Sequence, residues 1–146
     1  MQQQLTIEEK RMIPHQFHTN LNNREFEKQY DLITPDIKFH KNGQVIEGAD
    51  KFVKALQSIS AFSEDVRIDD KELYADENVA ISRYTMSGTL TGELTFPDGT
   101  KASQTNKSFS YNSVEFFSLN DEGKVYEIRQ VNDSGLTPLT MESQVK

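Results

Sequence analysis

The stretch Val79-Ala80-Ile81-Ser82-Arg83-Tyr84-Thr85-Met86-Ser87-Gly88-Thr89 decides the fold. Its side chains run with a period of two, the spacing of a strand with one buried face, and Tyr84 and Met86 fall on the same side. Upstream, Val66, Ile68 and Leu73 begin an earlier strand, and Asp76-Glu77-Asn78 turns the chain between the two. The central strand is expected to continue to about Phe96, bent or bulged at Gly88 and Gly92, with Pro97-Asp98-Gly99 as a hairpin tip. A third strand is read from about Lys101 to Leu119, where Phe109, Tyr111 and Phe117 share parity. After Asn120-Asp121-Glu122-Gly123, a last strand from Lys124 to Asn132 carries Val125, Glu127, Arg129 and Val131 on one face and runs into Asp133-Ser134-Gly135-Leu136.

The N-terminal part reads as helices around one strand. Thr6-Ile7-Glu8-Glu9 has the form of a capping box, in which the threonine and glutamate side chains satisfy free backbone donors. Ile13, Phe17 and Leu21 recur at helical spacing, and Pro14 either kinks that helix or marks where its ordered part begins. Asn22-Asn23 leads into a second short helix with Phe26, Tyr30 and Ile33 inward, ended by Pro35. Ile37-Lys38-Phe39-His40 alternates as a short strand, the Asn42-Gly43 turn returns Val45-Ile46-Glu47 as a hairpin arm, and Gly48 opens a third helix. Phe52, Val53, Leu56, Ile59 and Phe62 lie on one side of that helix.

Helices followed by meandering strands imply an α+β fold, in which a curved, mostly antiparallel sheet wraps the N-terminal helices. Twist accumulates along strands this long, so the sheet should curl into a cone with an internal pocket. The 146 residues fit one domain, 1–146, with a core over about 6–139 and flexible tails at 1–5 and 140–146. The chain has no cysteine, which excludes disulfides, thiolate metal sites and thiol nucleophiles. Twenty-three acids against 16 bases give a net charge of −7, and the bases form no run, so no nucleic-acid footprint is present. No segment has the length or composition of a membrane span or a secretory signal, and a cytoplasmic location is expected. Neither a phosphate-binding loop, a dinucleotide glycine pattern nor a zinc-helix motif appears.

Several segments together resemble the SnoaL-like polyketide cyclase group, within the nuclear transport factor 2-like (cystatin-like α+β cone) superfamily. They are Phe17-His18-Thr19-Asn20-Leu21-Asn22-Asn23-Arg24-Glu25-Phe26, Pro35-Asp36-Ile37-Lys38-Phe39-His40, Gly48, the 79–89 strand, Gly123-Lys124-Val125 and Asp133-Ser134-Gly135-Leu136. Their order and spacing carry the likeness, over roughly residues 9–139. The superfamily includes cyclases, ketosteroid isomerases, dehydratases, epoxide hydrolases, transport factors and members with no assigned activity. In the cyclases an aspartate ending the last strand is the acid/base for an intramolecular aldol closure, the place of Asp133. A histidine ending the first strand lines the same pocket, the place of His40. The second cyclase histidine, on the penultimate strand, has no counterpart, because all three histidines precede residue 41. Ketosteroid isomerases place a carboxylate base near the position of His40. The Asp-Arg-Asp arrangement of the epoxide hydrolases would find two members in Arg129 and Asp133.

The side chains allow the same chemistry and leave alternatives open. A carboxylate such as Asp133 in an apolar cone would have its pKa raised toward the range of a proton carrier, yet Asp-Ser-Gly is also ordinary turn chemistry. Arg129 shares a strand face with Asp133 and either holds it ionised, orients a substrate, or pairs across the surface with Glu115 or Glu127. His40 titrates near neutrality, or is an ordinary half-buried strand residue. Tyr84, Phe117 and Phe17 line a pocket for a flat apolar ligand if the cone is hollow and form core if it is not. His15 and His18 lie three apart without a third ligand, so no metal site is expected. The sequence thus implies a small-molecule-binding protein, a cofactor-independent acid/base cyclase or isomerase on an apolar ketone-type substrate. Its candidate catalytic residues are Asp133 and His40, its substrate-binding residues Tyr84, Arg129, Phe117 and Phe17, and its partner a second copy of itself. The alternative is a non-catalytic ligand-binding or dimerisation module of the same fold.

Overall fold

The structure is a computed structural model that describes residues 5–41, 43–92, 94–95, 101–102, 106 and 108–132. The expectations for the Pro97-Asp98-Gly99 tip, for Asp133-Ser134-Gly135-Leu136 and for the 1–4 and 140–146 tails lie outside those residues.

Helix α1 (Ile7–Arg11) starts on the Thr6 capping box, with Glu9 N–H donating to Thr6 Oγ1 at 3.1 Å and Thr6 N–H to Glu9 Oε1 at 3.0 Å. Helix α2 (Ile13–Asn22) is a new helix. Pro14 sits in its first turn, where a missing N–H is harmless. Pro14, Phe17, His18 and Leu21 form its buried face, and the Asn22 amide bonds both backbone groups of Ile68 at 2.8 Å, fastening the helix to the sheet edge. A 3₁₀ turn, Phe26–Asp31, follows. Its buried residue is Gln29, whereas Tyr30 faces out and donates to Asp50. Ile33 already belongs to a strand. The tighter 3₁₀ pitch moves the inward position by one residue from that read off an α-helical spacing.

Strand β1 (Ile33–Lys41) is longer than the sequence implied and passes through Pro35, where its register against its neighbour shifts. Strand β2 (Gln44–Glu47) returns beside it, and α3 (Ala49–Phe62) begins after Gly48, whose φ of +99° suits glycine. Strands β3 (Arg67–Ala75), β4 (Val79–Thr89), the short β5 (Leu94–Thr95) and β6 (Lys101–Ala102), β7 (Ser108–Leu119) and β8 (Val125–Asn132) complete the chain. Six of them form one curved sheet in the order β2-β1-β8-β7-β4-β3, antiparallel except where β1 runs parallel to β8. The helices cover one face, α2 against β3 and β4 and α3 against β1. This is the expected α+β cone.

Three strand expectations change. The β4–β7 ladder is unbroken from Val79↔Ser118 to Thr89↔Ser108, so Gly88 makes no bulge. It is glycine because the chain passes close: a Cβ there would collide with Ser63 Oγ and lie 3.1 Å from Val66 Cα. The ladder ends at Thr89, where Asn106, at φ +55°, donates its N–H to Leu90 O, and a separate β5–β6 ribbon continues instead of one long pair of strands. In β8, a register shift beside Tyr126 turns Val125 inward while Glu127, Arg129 and Val131 face out.

Candidate functional site

Alternation puts Ala80, Ser82, Tyr84 and Met86 of β4 on the buried face, with Phe109, Tyr111, Ser113, Glu115, Phe117 and Leu119 of β7. Two polar rows therefore cross an otherwise apolar inner face. In one, Ser82 pairs with Glu115 and Glu115 with Gln130, and Lys41 follows His40, whose β8 partner is Arg129, the residue before Gln130. In the other, Asp70 pairs with Tyr84, Tyr84 with Ser113 and Ser113 with Asn132. Asp70 sits where a register shift at Lys71 breaks the parity of β3. Before the shift Ile68 and Asp70 face in; after it Leu73 and Ala75 do.

His18 joins the rows from the helix side. Its Nδ1 is 2.7 Å from Asp70 Oδ1 and its Nε2 2.8 Å from Glu115 Oε1. Imidazole, aspartate and glutamate side chains are all nearly inaccessible, at 5%, 6% and 8%. Burial opposes charge on the ring, but the hydrogen bonds and charges of Asp70 and Glu115 outweigh it and raise the His18 pKa to about 9. Burial likewise works against the Asp70 carboxylate, yet His18, Ser82 Oγ at 2.6 Å and His15 Nδ1 at 2.8 Å hold its pKa down at about 2. Near neutral pH the His18 imidazolium sits between the Asp70 carboxylate and the Glu115 carboxyl group. Both ring nitrogens are occupied, so His18 positions the carboxylates rather than reaching a ligand.

The space these groups face is small. Phe17 packs on Phe117 and Phe52 with ring centroids 5.2 and 6.1 Å apart, and Phe39 on Phe52 at 5.4 Å. Between these rings and Leu56, Ile59, Met86 and Ile128 the unfilled volume is about 30 Å³, room for about one water. The cone is nearly filled, not a chamber of several hundred Å³. His18, Gln29, Lys41, Tyr84, Glu115 and Gln130 give this small cavity its polar wall. Burial drives the Tyr84 pKa well above the usual phenol value, and the Gln130 amide donates to its hydroxyl at 2.7 Å. Among the described residues, Gln130 Oε1 is buried without a hydrogen-bond partner. Lys41 is half-buried, and its pKa is lowered by desolvation against the opposing pull of Glu115. A wider hollow of about 500 Å³ lies elsewhere, against Tyr30, Pro35, Glu47 and Asp50, and has none of these groups.

The residues expected from sequence separate. Tyr84, Phe117 and Phe17 line the small cavity together. His40 and Arg129 stand on the opposite face of the sheet. There His40 Nε2 lies 2.9 Å from Glu127 Oε2, and Arg129, 65% exposed, lies 3.2 Å from Glu127 Oε1. Parity explains this, because Phe39 and Lys41 are the inward positions of β1 and Ile128 and Gln130 those of β8. Asp133 lies outside the described residues. Sequence reasoning missed His18, Asp70 and Glu115 as a unit. The signal was there: each is a polar residue at an inward position of its element, Glu115 on the parity of Phe109, Tyr111 and Phe117. Among the described residues, no group of three or more His, Cys, Asp or Glu side chains is arranged to hold a metal ion, and no helix is long and apolar enough to cross a membrane.

A family model for the SnoaL-like domain matches residues 15–128, most of the chain and all of the cluster. The chain belongs to the SnoaL-like domain family. Solved structures share its fold at low identity. A SnoaL-like polyketide cyclase from Agrobacterium tumefaciens is 17% identical with a TM-score of 0.72, over 97% of this chain and 99% of that one. TsrD from Streptomyces laurentii is 18% identical with a TM-score of 0.74, over 92% of each chain. An NTF2-like protein of unknown function from an Exiguobacterium species is 17% identical with a TM-score of 0.63, over 84% and 98%. No curated protein matches the sequence significantly.

Proposed function

We propose that this SnoaL-like protein is an acid/base enzyme for a small ketone-type compound, with Glu115 as the proton carrier at the cavity wall. One observation carries the reading. A carboxylate, an ammonium and an imidazolium share the wall of an apolar interior that a purely structural core would fill more cheaply with hydrocarbon. Glu115 Oε1 is held by His18, which fixes the carboxyl group toward the cavity. A proton taken from the carbon beside a carbonyl leaves an enolate, whose oxygen Lys41 can stabilise as a donor, and returning the proton at another carbon completes an isomerisation. The same enolate attacking a second carbonyl in its own molecule would be a cyclisation, the class named for the Agrobacterium relative.

One feature bears on the rival reading. With about 30 Å³ open, a ligand larger than water enters only if lining side chains move aside. That filled interior favours a non-catalytic module. Deuterium exchange into small methyl and cyclic ketones, followed by NMR, separates the readings. An enzyme accelerates the exchange, and Glu115→Gln lowers the rate by about 10²–10⁴-fold. Loss in Asp133→Asn with Glu115→Gln unaffected would move the proton carrier to Asp133. Exchange no faster than in buffer, with no ketone bound, leaves the module.

A further inference from the structure

We infer that Lys41 is a nucleophile that takes an aldehyde or ketone as an imine inside the cone. It rests on the same cavity as the proposed acid/base function but needs a different atom, Lys41 Nζ. Lys41 ends β1 on the inward parity and forms part of the cavity wall. No hydrogen bond or ion pair joins its ammonium to a described side chain, although Glu115 acts on it through space. A structural lysine in such a place would be clasped by a carboxylate. Here the nearest candidate is committed: Glu115 Oε1 holds His18, and Asp70 is held by His18, Ser82 and His15. Desolvation favours the neutral amine, the nucleophilic form.

The unpartnered Gln130 Oε1 is a second sign of an unmet ligand. This buried acceptor stands in the row between Glu115 and Lys41 and calls for a donor, such as the hydroxyl that appears when an amine adds to a carbonyl. The step balances without a redox partner. The Nζ lone pair attacks the carbonyl carbon, the C=O pair moves to oxygen, and transfer of a proton from nitrogen to that oxygen gives the carbinolamine. The nitrogen pair then forms C=N, the hydroxyl takes the proton that Glu115 first drew from the Lys41 ammonium and leaves as water, and the nitrogen keeps its last proton as an iminium.

The test uses the whole protein with acetaldehyde and acetone as probes and cyanoborohydride to reduce any imine. Intact mass counts the alkyl groups added, and peptide mapping places them. One alkyl group on Lys41, gained before any exposed lysine and lost in both Lys41→Met and Lys41→Arg, is the expected result. Arg keeps the cation, so folding and charge are controlled by the second variant. Label spread over exposed lysines, or unchanged in Lys41→Arg, overturns the inference. The failures are separable. Ketone exchange that depends on Glu115 with no label on Lys41 leaves the proposed function and removes the imine. Label on Lys41 without exchange does the reverse.

Discussion

At the scale of single residues, His18 ties stability to pH. Its pKa rises from 6.5 to about 9 on folding, so the folded protein keeps a proton that the unfolded chain loses between those values. The stabilisation is complete below pH 6.5 and disappears as pH climbs through 9, at about 1.4 kcal/mol per pH unit for one proton. Asp70 has the opposite sign. Its pKa falls from 3.8 to about 2, so its contribution is present above pH 3.8 and is lost as pH drops through 2. Urea denaturation across pH should give a plateau between those limits, with the alkaline decline absent from His18→Leu. That variant also leaves two buried carboxylates without their cation, and a loss of about 3–5 kcal/mol near neutrality is expected. A wild-type stability that is level from pH 6.5 to 9 would mean that the ring is neutral. Such a cluster is hard to read from sequence because its members lie 52 and 97 residues apart. Only the fold makes three unremarkable polar positions into one site.

Elements were more legible than the contacts between them. Helical spacing located Phe17 and Leu21, and alternation located Tyr84 and Met86, because both follow from local geometry that any folded context must respect. Single-residue shifts were not legible. The irregularities at Lys71 and Tyr126 reverse which residues face in, and the 3₁₀ turn exchanges Tyr30 for Gln29. Errors of that kind decide sites: His40 sits one position from Phe39 and Lys41, and lies on the other side of the sheet. Gly88 shows the same limit. Its role depends on the α3–β3 connection passing beneath it, so Gly88→Ala should cost about 1–3 kcal/mol although the ladder around it is regular. Pairing Gly88→Ala with Ser63→Ala, measured by thermal melts, should restore only part of the loss, since Val66 backbone remains in the way. Full restoration would place the whole conflict in the serine hydroxyl.

For the whole molecule the outer face of the sheet matters most. Register aligns Tyr74, Ile81, Phe116, Arg129, His40 and Val45 in one row across all six strands. Tyr74, Phe116, Val45 and the neighbouring Val131 and Tyr126 are exposed, so this face presents several large apolar side chains to its surroundings. We propose that a second copy covers it, because a two-fold axis through this face would set the central Phe116 of one protomer near that of the other. His40 and Arg129 would then lie within the interface, both oriented by Glu127. Light scattering should give the dimer mass for the wild-type protein. Phe116→Glu brings two like charges together near the axis and should return the monomer mass, with the far-UV spectrum and the His18-dependent pH profile unchanged because the inner face is untouched. Arg129→Ala should weaken the dimer less, since it removes one half of an exposed pair. A wild-type monomer at every concentration would leave this row without a partner.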